Sequence, residues 1–422
     1  MARKAPQFGE VGKTGLPVFS GRVYDEPVSK LTAEEWRRVV RLMTANDASI
    51  RAMLFMIEMI ARQVEWKILP WDGKAENDDL AQFVRECLFE DMEQTWQDTV
   101  AEILSMLEWG WSWFEMVYKR RGGPSDDPTK NSRYTDGRVG WRKWAIRSQE
   151  SLWEWVISDS DDVVALQQMP APDYELLEVP AVKSLHFRTS TRKNNPEGVS
   201  ILRGAYRSWY FKSNIENIEG IGIERDLAGL PKIGAPPEIF KENATPEQKA
   251  IYQYLEKLVT DIRQDETSGI LYPREVDANG NEKYTVELLS SGGARQFDTS
   301  AVIDRYDQRM LMSVMTDFLM LGSKSVGSYG LADKKWDAFL KAMKTWLDAI
   351  CQVVNRKAIP QLLQLNGKPL DKAPYLVAGT LENISLDALG KFVNVLRTAG
   401  IQFTPEQQDY LKRQAAIPVQ DS

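Results

Sequence analysis

The sequence predicts an α+β fold: an antiparallel sheet beside a helical block, with two long helices holding a small module between them. Three patterns lead there. Apolar residues recur with one-face helical spacing from Asn46 to Trp109, a period-two alternation starts at Trp111, and two further helical runs bracket an acidic stretch at 231–300. The chain has 422 residues, enough for two to three folding units, and its 43% hydrophobic and 27% charged residues exclude wholesale disorder.

Met1 to Ser29 is rich in Gly, Pro and polar residues and reads as an extended arm. A first core helix is expected over Asn46–Trp66, where Ile50, Met53, Leu54, Ile57, Ala61 and Val64 share a face. Leu80, Phe83, Val84, Cys87 and Leu88 repeat the pattern, as do Trp96, Val100, Ile103, Leu104 and Leu107 before a terminating Gly110. From Arg41 to Glu108 there are 6 basic and 14 acidic residues. Trp111, Trp113, Glu115 and Val117 then alternate with Ser112, Phe114, Met116 and Tyr118, a period of two that predicts a strand. Arg121–Gly140 reads as a loop and Trp141–Ser148 as a strand. Trp153–Ser158 and Val163–Met169 form a hairpin around Asp159-Ser160-Asp161-Asp162.

Ala181–Asn214 reverses the charge, with 7 basic residues and 1 acidic. A long helix is expected over Val199–Gly229, weakened at its far end by Gly220 and Gly222. Pro231–Ser300 reads as a separate module: a Pro/Gly approach at Gly229–Pro237, a helix over Pro246–Arg263, and two strands around the turn at 277–281. The second long helix is expected over Ser300–Leu321, a Gly/Ser loop over Gly322–Gly330, and a strong helix over Leu331–Arg356 stopped by Pro360. A helical tail, Ser385–Gln414, closes the chain. A module inserted between two helices implies that these leave and re-enter one body side by side.

Composition narrows the chemistry. With 53 Lys+Arg against 60 Asp+Glu the net charge is −7 and the pI about 5.2, which lacks the basic footprint of a tight duplex binder. Cys87 and Cys351 are the only cysteines and His186 the only histidine, too few for a disulfide framework, a Cys/His metal site or a histidine-dependent nucleophile. Met1–Glu10 has no signal-peptide pattern. The most apolar stretch, Ile50–Val64, is broken by Arg51, Glu58 and Arg62, so a soluble chain made in a reducing cytoplasm is expected.

Gly12-Lys13-Thr14 imitates the end of a P-loop but has Gln7 where the motif needs glycine, and no strand before it. Asp159, Asp161 and Asp162 are hard-cation ligands in type, yet Asp and Ser at that spacing are also what a hairpin turn uses. Gly220-Ile221-Gly222 sits at a helix end and is no nucleotide site. His186, on the strand Leu185-His186-Phe187-Arg188, reads as structural. The basic segment 181–214 is equally a phosphate contact or a solvated helix face. No constellation supports general acid–base or nucleophilic catalysis.

Several motifs, in order, resemble the portal proteins of tailed bacteriophages, most closely the Mu-type group. They are Asp98–Tyr118 with Gly110 and Glu115; Leu185-His186-Phe187-Arg188; Asn195-Pro196-Glu197-Gly198; Leu202-Arg203-Gly204-Ala205-Tyr206; Gly327-Ser328-Tyr329-Gly330-Leu331; Asn355-Arg356-Lys357-Ala358-Ile359-Pro360; and the Ala399-Gly400-Ile401 and Thr404-Pro405-Glu406 pieces. The resemblance runs from about Leu31 to Pro418. It implies a portal fold with α/β wing, two long stem helices, small α/β clip and helical crown. The implied divisions are arm 1–30, wing 31–198, stem helices 199–230 and 301–321, clip 231–300, tunnel loop 322–330, a wing/crown helix region 331–384 and a crown 385–422.

The resemblance also implies a ring of about twelve subunits at one capsid vertex of the virion, with a channel for double-stranded DNA packaging and ejection. The terminase large subunit, head–tail adaptor proteins and the major capsid protein would be its partners; no cofactor, metal, membrane or catalytic residue is implied. The tunnel loop would present Gly322, Ser323, Lys324, Ser325 and Tyr329, with Arg305, Arg309 and Lys212 as stem candidates for weak phosphate contact. Net negative charge suits a channel in which DNA slides, since extensive phosphate neutralisation gives stable binding. The rival is a Mg²⁺-dependent nuclease, or another phage DNA-processing enzyme, using Asp159, Asp161 and Asp162.

Overall fold

A computed structural model of the chain describes residues 12–72, 79–228, 230–263, 276, 280, 282–289, 298–317 and 329–381. Two compact units emerge: residues 1–203 with 311–422, and residues 204–310. The expected tail helix Ser385–Gln414 and most of the Gly/Ser loop lie outside the described residues.

In the larger unit, helices α1 (Ala33–Asn46) and α2 (Ala48–Gln63) meet at a single buried residue. The Asp47 N–H donates to the Met43 carbonyl, closing α1, while its carboxylate accepts from the Ile50 N–H at 3.0 Å, opening α2. Ile50, Met53, Ile57 and Ala61 are buried on the predicted face. After strand β3 (Trp66–Leu69) and α3 (Asp79–Arg85), which runs on as a π turn, α4 (Trp96–Trp109) starts at a Thr95 cap. Thr95 Oγ1 accepts from the Asp98 N–H at 3.1 Å and donates to its carboxylate at 2.7 Å. Gly110 ends α4 at φ +96°, as the sequence predicts.

The main sheet is antiparallel in the order β5 (Val139–Arg147), β4 (Trp111–Arg120), β9 (Ser184–Arg188). The strand expected from the period of two is β4, and it is buried on both sides, at Trp111, Ser112, Trp113, Phe114 and Met116. Both faces are covered. Ser112 donates to the Ile103 carbonyl of α4 at 3.0 Å, while Trp111 and Trp113 meet Trp155 at centroid distances of 4.9 and 5.7 Å. Trp155 belongs to a second antiparallel sheet, β6 (Leu152–Ile157), β7 (Val163–Gln168) and β8 (Leu177–Pro180), which contains the predicted hairpin.

Residues 12–29 are more than an arm. They form the hairpin β1 (Val18–Phe19) and β2 (Arg22–Val23), Val23 enters the Trp111–Trp155 core, and the Gly21 carbonyl accepts from Trp155 N at 2.8 Å. Helix α8 (Tyr329–Val353) matches its prediction, burying Phe339, Met343, Leu347 and Ile350. It continues as a π turn, Val354–Ala358, into α9 (Ile359–Leu365), and β12 (Tyr375–Ala378) then pairs with β3.

The smaller unit carries α5 (Tyr206–Ala228), β10 (Leu230–Gly234), α6 (Pro246–Arg263), β11 (Thr285–Leu289) and α7 (Thr299–Met312). Three expectations are corrected here. Helix α5 starts at Tyr206 rather than Val199 and passes through Gly220 and Gly222 without interruption. The Pro/Gly approach is a strand: β10 pairs antiparallel with β11, and the turn at 277–281 is flanked only by a Val276–Glu282 bridge among the described residues. The second long helix ends at Met312 rather than Leu321, because the chain turns at Met315 (φ +61°) and the Thr316 hydroxyl donates to the Leu311 carbonyl at 3.0 Å. The module's core is Ile239, Leu255 and Tyr284, supported by Ile233 and Ile251.

Candidate functional site

Two places collect the residues that the sequence singles out, one in each unit. In the smaller unit α5 and α7 run side by side in opposite directions. Lys212 Nζ lies 2.7 Å from Asp307 Oδ1 and 3.7 Å from Glu216 Oε1, Phe211 and Tyr306 stack at 6.2 Å, and Thr299 donates to Glu219 one helical stretch away. Lys212 is therefore buried and neutralised, so a phosphate would have to replace an existing carboxylate partner. Arg305 and Arg309 differ: both are exposed on α7, and both guanidinium groups lean over the Tyr306 ring at 5.4 and 6.0 Å. Tyr329 opens α8; Gly322, Ser323, Lys324 and Ser325 lie outside the described residues.

In the larger unit the separate motifs meet. Gly110 and Gly198, 88 positions apart in sequence, both adopt left-handed φ, +96° and +56°, and a Cβ on either would overlap a backbone oxygen of the other's segment. Thr189 ties the three strands of chain together: its N–H donates to the Gly110 carbonyl at 3.0 Å and its hydroxyl donates to the Val199 carbonyl at 2.6 Å. His186 Nε2 donates to the Pro196 carbonyl at 2.8 Å, and its ring stacks on Trp155 at 5.4 Å and leans on Trp113 at 4.9 Å. Burial, with the Arg188 charge beside it, holds His186 well below its ordinary pKa, so it is neutral and structural. Glu197 accepts from Trp155 Nε1 at 3.2 Å; burial raises its pKa against the pull of that bond and of Arg37. Arg203 clamps Glu26 through two bonds of 2.6 and 2.7 Å, fastening the N-terminal hairpin to the same junction.

Glu115 has a structural role. Burial pushes its carboxyl up, but hydrogen bonds from Lys183, at 2.7 Å, and from Arg147 outweigh that and hold it below the ordinary range. Sequence reasoning missed the buried polar anchors. Lys119 reaches Asp91 at 3.3 Å and the Asn131 carbonyl at 2.7 Å, and Arg121, fully buried, pairs with Glu86 at 2.6 Å and Asp136 at 3.3 Å. Their partners are 28 to 35 residues away or in the adjoining loop, a separation with no sequence period.

The nuclease candidates do not converge on a cation. Asp161, in a left-handed turn at φ +60°, accepts from the Thr14 N–H at 2.8 Å and the Thr14 hydroxyl at 3.0 Å, with Lys13 Nζ 3.9 Å away. The P-loop-like Lys13-Thr14 pair is thus a strap onto this hairpin turn. Asp162 takes a bond from Ser160 at 3.1 Å, and among the described residues no group of three His, Cys, Asp or Glu side chains is placed to hold a metal. No described helix is long and apolar enough to cross a membrane.

A sequence-family profile described as the portal protein of Mu bacteriophage matches residues 38–417. No curated protein matches the chain. Among solved structures, the fold is similar to a chain of the virion of a native gene transfer agent particle, with TM-score 0.51, 11% identity, and coverage of 90% of this chain and 93% of that one. It is likewise similar to a chain in the neck of a native gene transfer agent particle computed with C12 symmetry, with TM-score 0.50, 10% identity and coverage of 90% and 94%.

Proposed function

Because the chain belongs to the family of the portal protein of Mu bacteriophage, we propose that it assembles into a ring of about twelve copies at one capsid vertex, enclosing a channel for double-stranded DNA. The observation that carries this reading is the family match over residues 38–417, which takes in the whole of the motif junction at Gly110, His186 and Gly198. Twelve is favoured because a similar fold occurs in a particle neck computed with C12 symmetry.

The parts take their roles from position. Residues 31–198 form the wing, the antiparallel pair α5 and α7 the stem, 231–300 the clip and 322–328 the tunnel loop, which the start of α8 at Tyr329 shortens by two residues; 329–384 belong to the wing and crown region, and 385–422 to the crown. The stem's second helix is the shorter, stopping at Met312. Arg305 and Arg309, exposed and held over Tyr306, supply weak contacts to passing phosphates, joined by Gly322, Ser323, Lys324 and Ser325 from the tunnel loop and by Tyr329 at the start of α8. The acidic clip, with 8 basic and 12 acidic residues, meets complementary positive faces on the terminase large subunit and later on head–tail adaptor proteins. The wing faces the major capsid protein. The chain itself does no chemistry; ATP hydrolysis belongs to the docking motor.

Cross-linking tests the channel. The two native cysteines are buried, and burial pushes both thiols up to about 12, so the unaltered protein gives a low background with thiol-directed photo-cross-linkers. Arg309→Cys in assembled, filled particles should cross-link to packaged DNA. Filled particles without such adducts, together with Mg²⁺-dependent DNA cleavage lost in Asp161→Ala, would replace the conduit with a nuclease.

A further inference from the structure

A cleft of about 420 Å³ in the larger unit lies between β9 and the end of α8, with His186, Arg188, Asn194, Arg356 and Lys357 in its wall. Its cations are brought there by separate devices. Arg188 is fixed by Nη1, which donates to Asn194 Oδ1 at 3.1 Å and to the Asn195 carbonyl at 3.0 Å. Arg356 and Lys357 come from the π turn Val354–Ala358, a local widening of the helix that re-aims side chains. The same turn is locked by Asn355, whose Nδ2 donates to the Leu376 carbonyl at 2.9 Å and whose Oδ1 accepts from Leu376 N at 2.7 Å. The Arg188 side chain and the backbone of the π turn are therefore set before any ligand arrives, while Arg356 stays exposed at the rim.

What the cleft lacks is a matching counter-charge. Arg188 and Lys357 are part-buried, and burial lowers the pKa of each, with no carboxylate among the described residues to offset it. Asp162 is the one acid among the described residues of the lining, and it already accepts from Ser160. Neutral His186 and the Trp113 ring close the inner wall. Part-buried cations without carboxylates cost stability unless an anion completes them, and Arg188 with Arg356 offers the planar donor sets that suit tetrahedral oxyanions.

We propose that this cleft, where the β9 motif meets the Asn355–Pro360 motif, is a binding site for a single phosphate group, carried by a nucleic-acid backbone or by a small phosphate compound. It stands on the cleft's own charges and would hold whether or not the chain forms a ring.

The test is a thermal-unfolding titration of the full-length protein with inorganic phosphate, compared with potassium chloride at equal ionic strength. Phosphate at ten times its Kd should raise the midpoint by roughly 2–4 °C beyond chloride. The double variant Arg356→Gln/Lys357→Gln should lose that difference, and Asp162→Asn should tighten phosphate roughly two- to fivefold by removing the one like charge. A short DNA duplex that competes with phosphate assigns the source to nucleic acid; phosphate binding without competition assigns it to a small compound, and both uphold the site. No phosphate-specific shift in the unaltered protein, or an equal shift in the double variant, overturns it.

Discussion

Gly110 and Gly198 hold the motif junction together by having no side chains. Gly110 is legible in sequence as a helix end; that it also admits the Glu197–Ser200 backbone is not, since the contact joins segments 88 positions apart. Gly110→Ala should therefore cost more than a lost cap alone, roughly 2–4 kcal/mol, read as a shift in the denaturation midpoint. Glu108, two residues earlier, is the second telling case. Burial, then the Glu58 charge, raises its carboxyl to about 7. The folded chain thus keeps a proton between pH 4.5 and 7 that the unfolded chain releases, so this group's stabilising contribution falls as pH rises through that window and is gone above it. Glu108→Gln keeps the neutral form at every pH, so its stability relative to the unaltered protein should rise from pH 5 to pH 8. His186, depressed well below its ordinary value, slopes the other way, losing stability as pH falls through 6.5, but it is common to both proteins and cancels in the difference. A pH-independent difference would show that Glu108 is ionised in the folded state.

Among the elements, legibility follows locality. α8 was readable because its core face repeats every three to four residues over 25 residues. The π turn that follows it was not, because nothing local in Val354–Ala358 distinguishes an inserted residue from another helical turn. β4 alternates in sequence yet is buried on both faces, since α4 and the Trp155 sheet cover it from opposite sides, a tertiary fact. The end of α7 is set by the Thr316–Leu311 bond and the Met315 turn rather than by any Gly or Pro. The pairing of α5 with α7 carries its own prediction. Lys212 and Asp307 have side chains only 7% and 13% exposed, so Asp307→Asn takes the nearer carboxylate from a buried ammonium, leaving Glu216 at 3.7 Å, and should destabilise the smaller unit by about 2 kcal/mol. Lys212→Met, which removes the charge while keeping the stem, should cost less; the reverse order would place the pair in water.

At the scale of the whole molecule, the sequence foretold the α+β class, the inserted module and the family, because those rest on order and composition. It missed that the approach strand β10 pairs with β11, since 50 residues lie between the two, whereas the turn at 277–281, flanked by the Val276–Glu282 bridge, is a local feature. The phosphate cleft was half visible as the basic segment 181–214; its other half arrives from 356–357, beyond any local window. α5 also leaves Tyr210, Phe211, Ile218 and Ile221 exposed in the single chain, a helix surface that a ring would cover. The portal account therefore stands or falls on assembly. Native mass measurement of the purified full-length protein should give a species of about 580 kDa, twelve times 48.1 kDa. A single species at the monomer mass across the accessible concentration range, with no higher closed assembly, would contradict it.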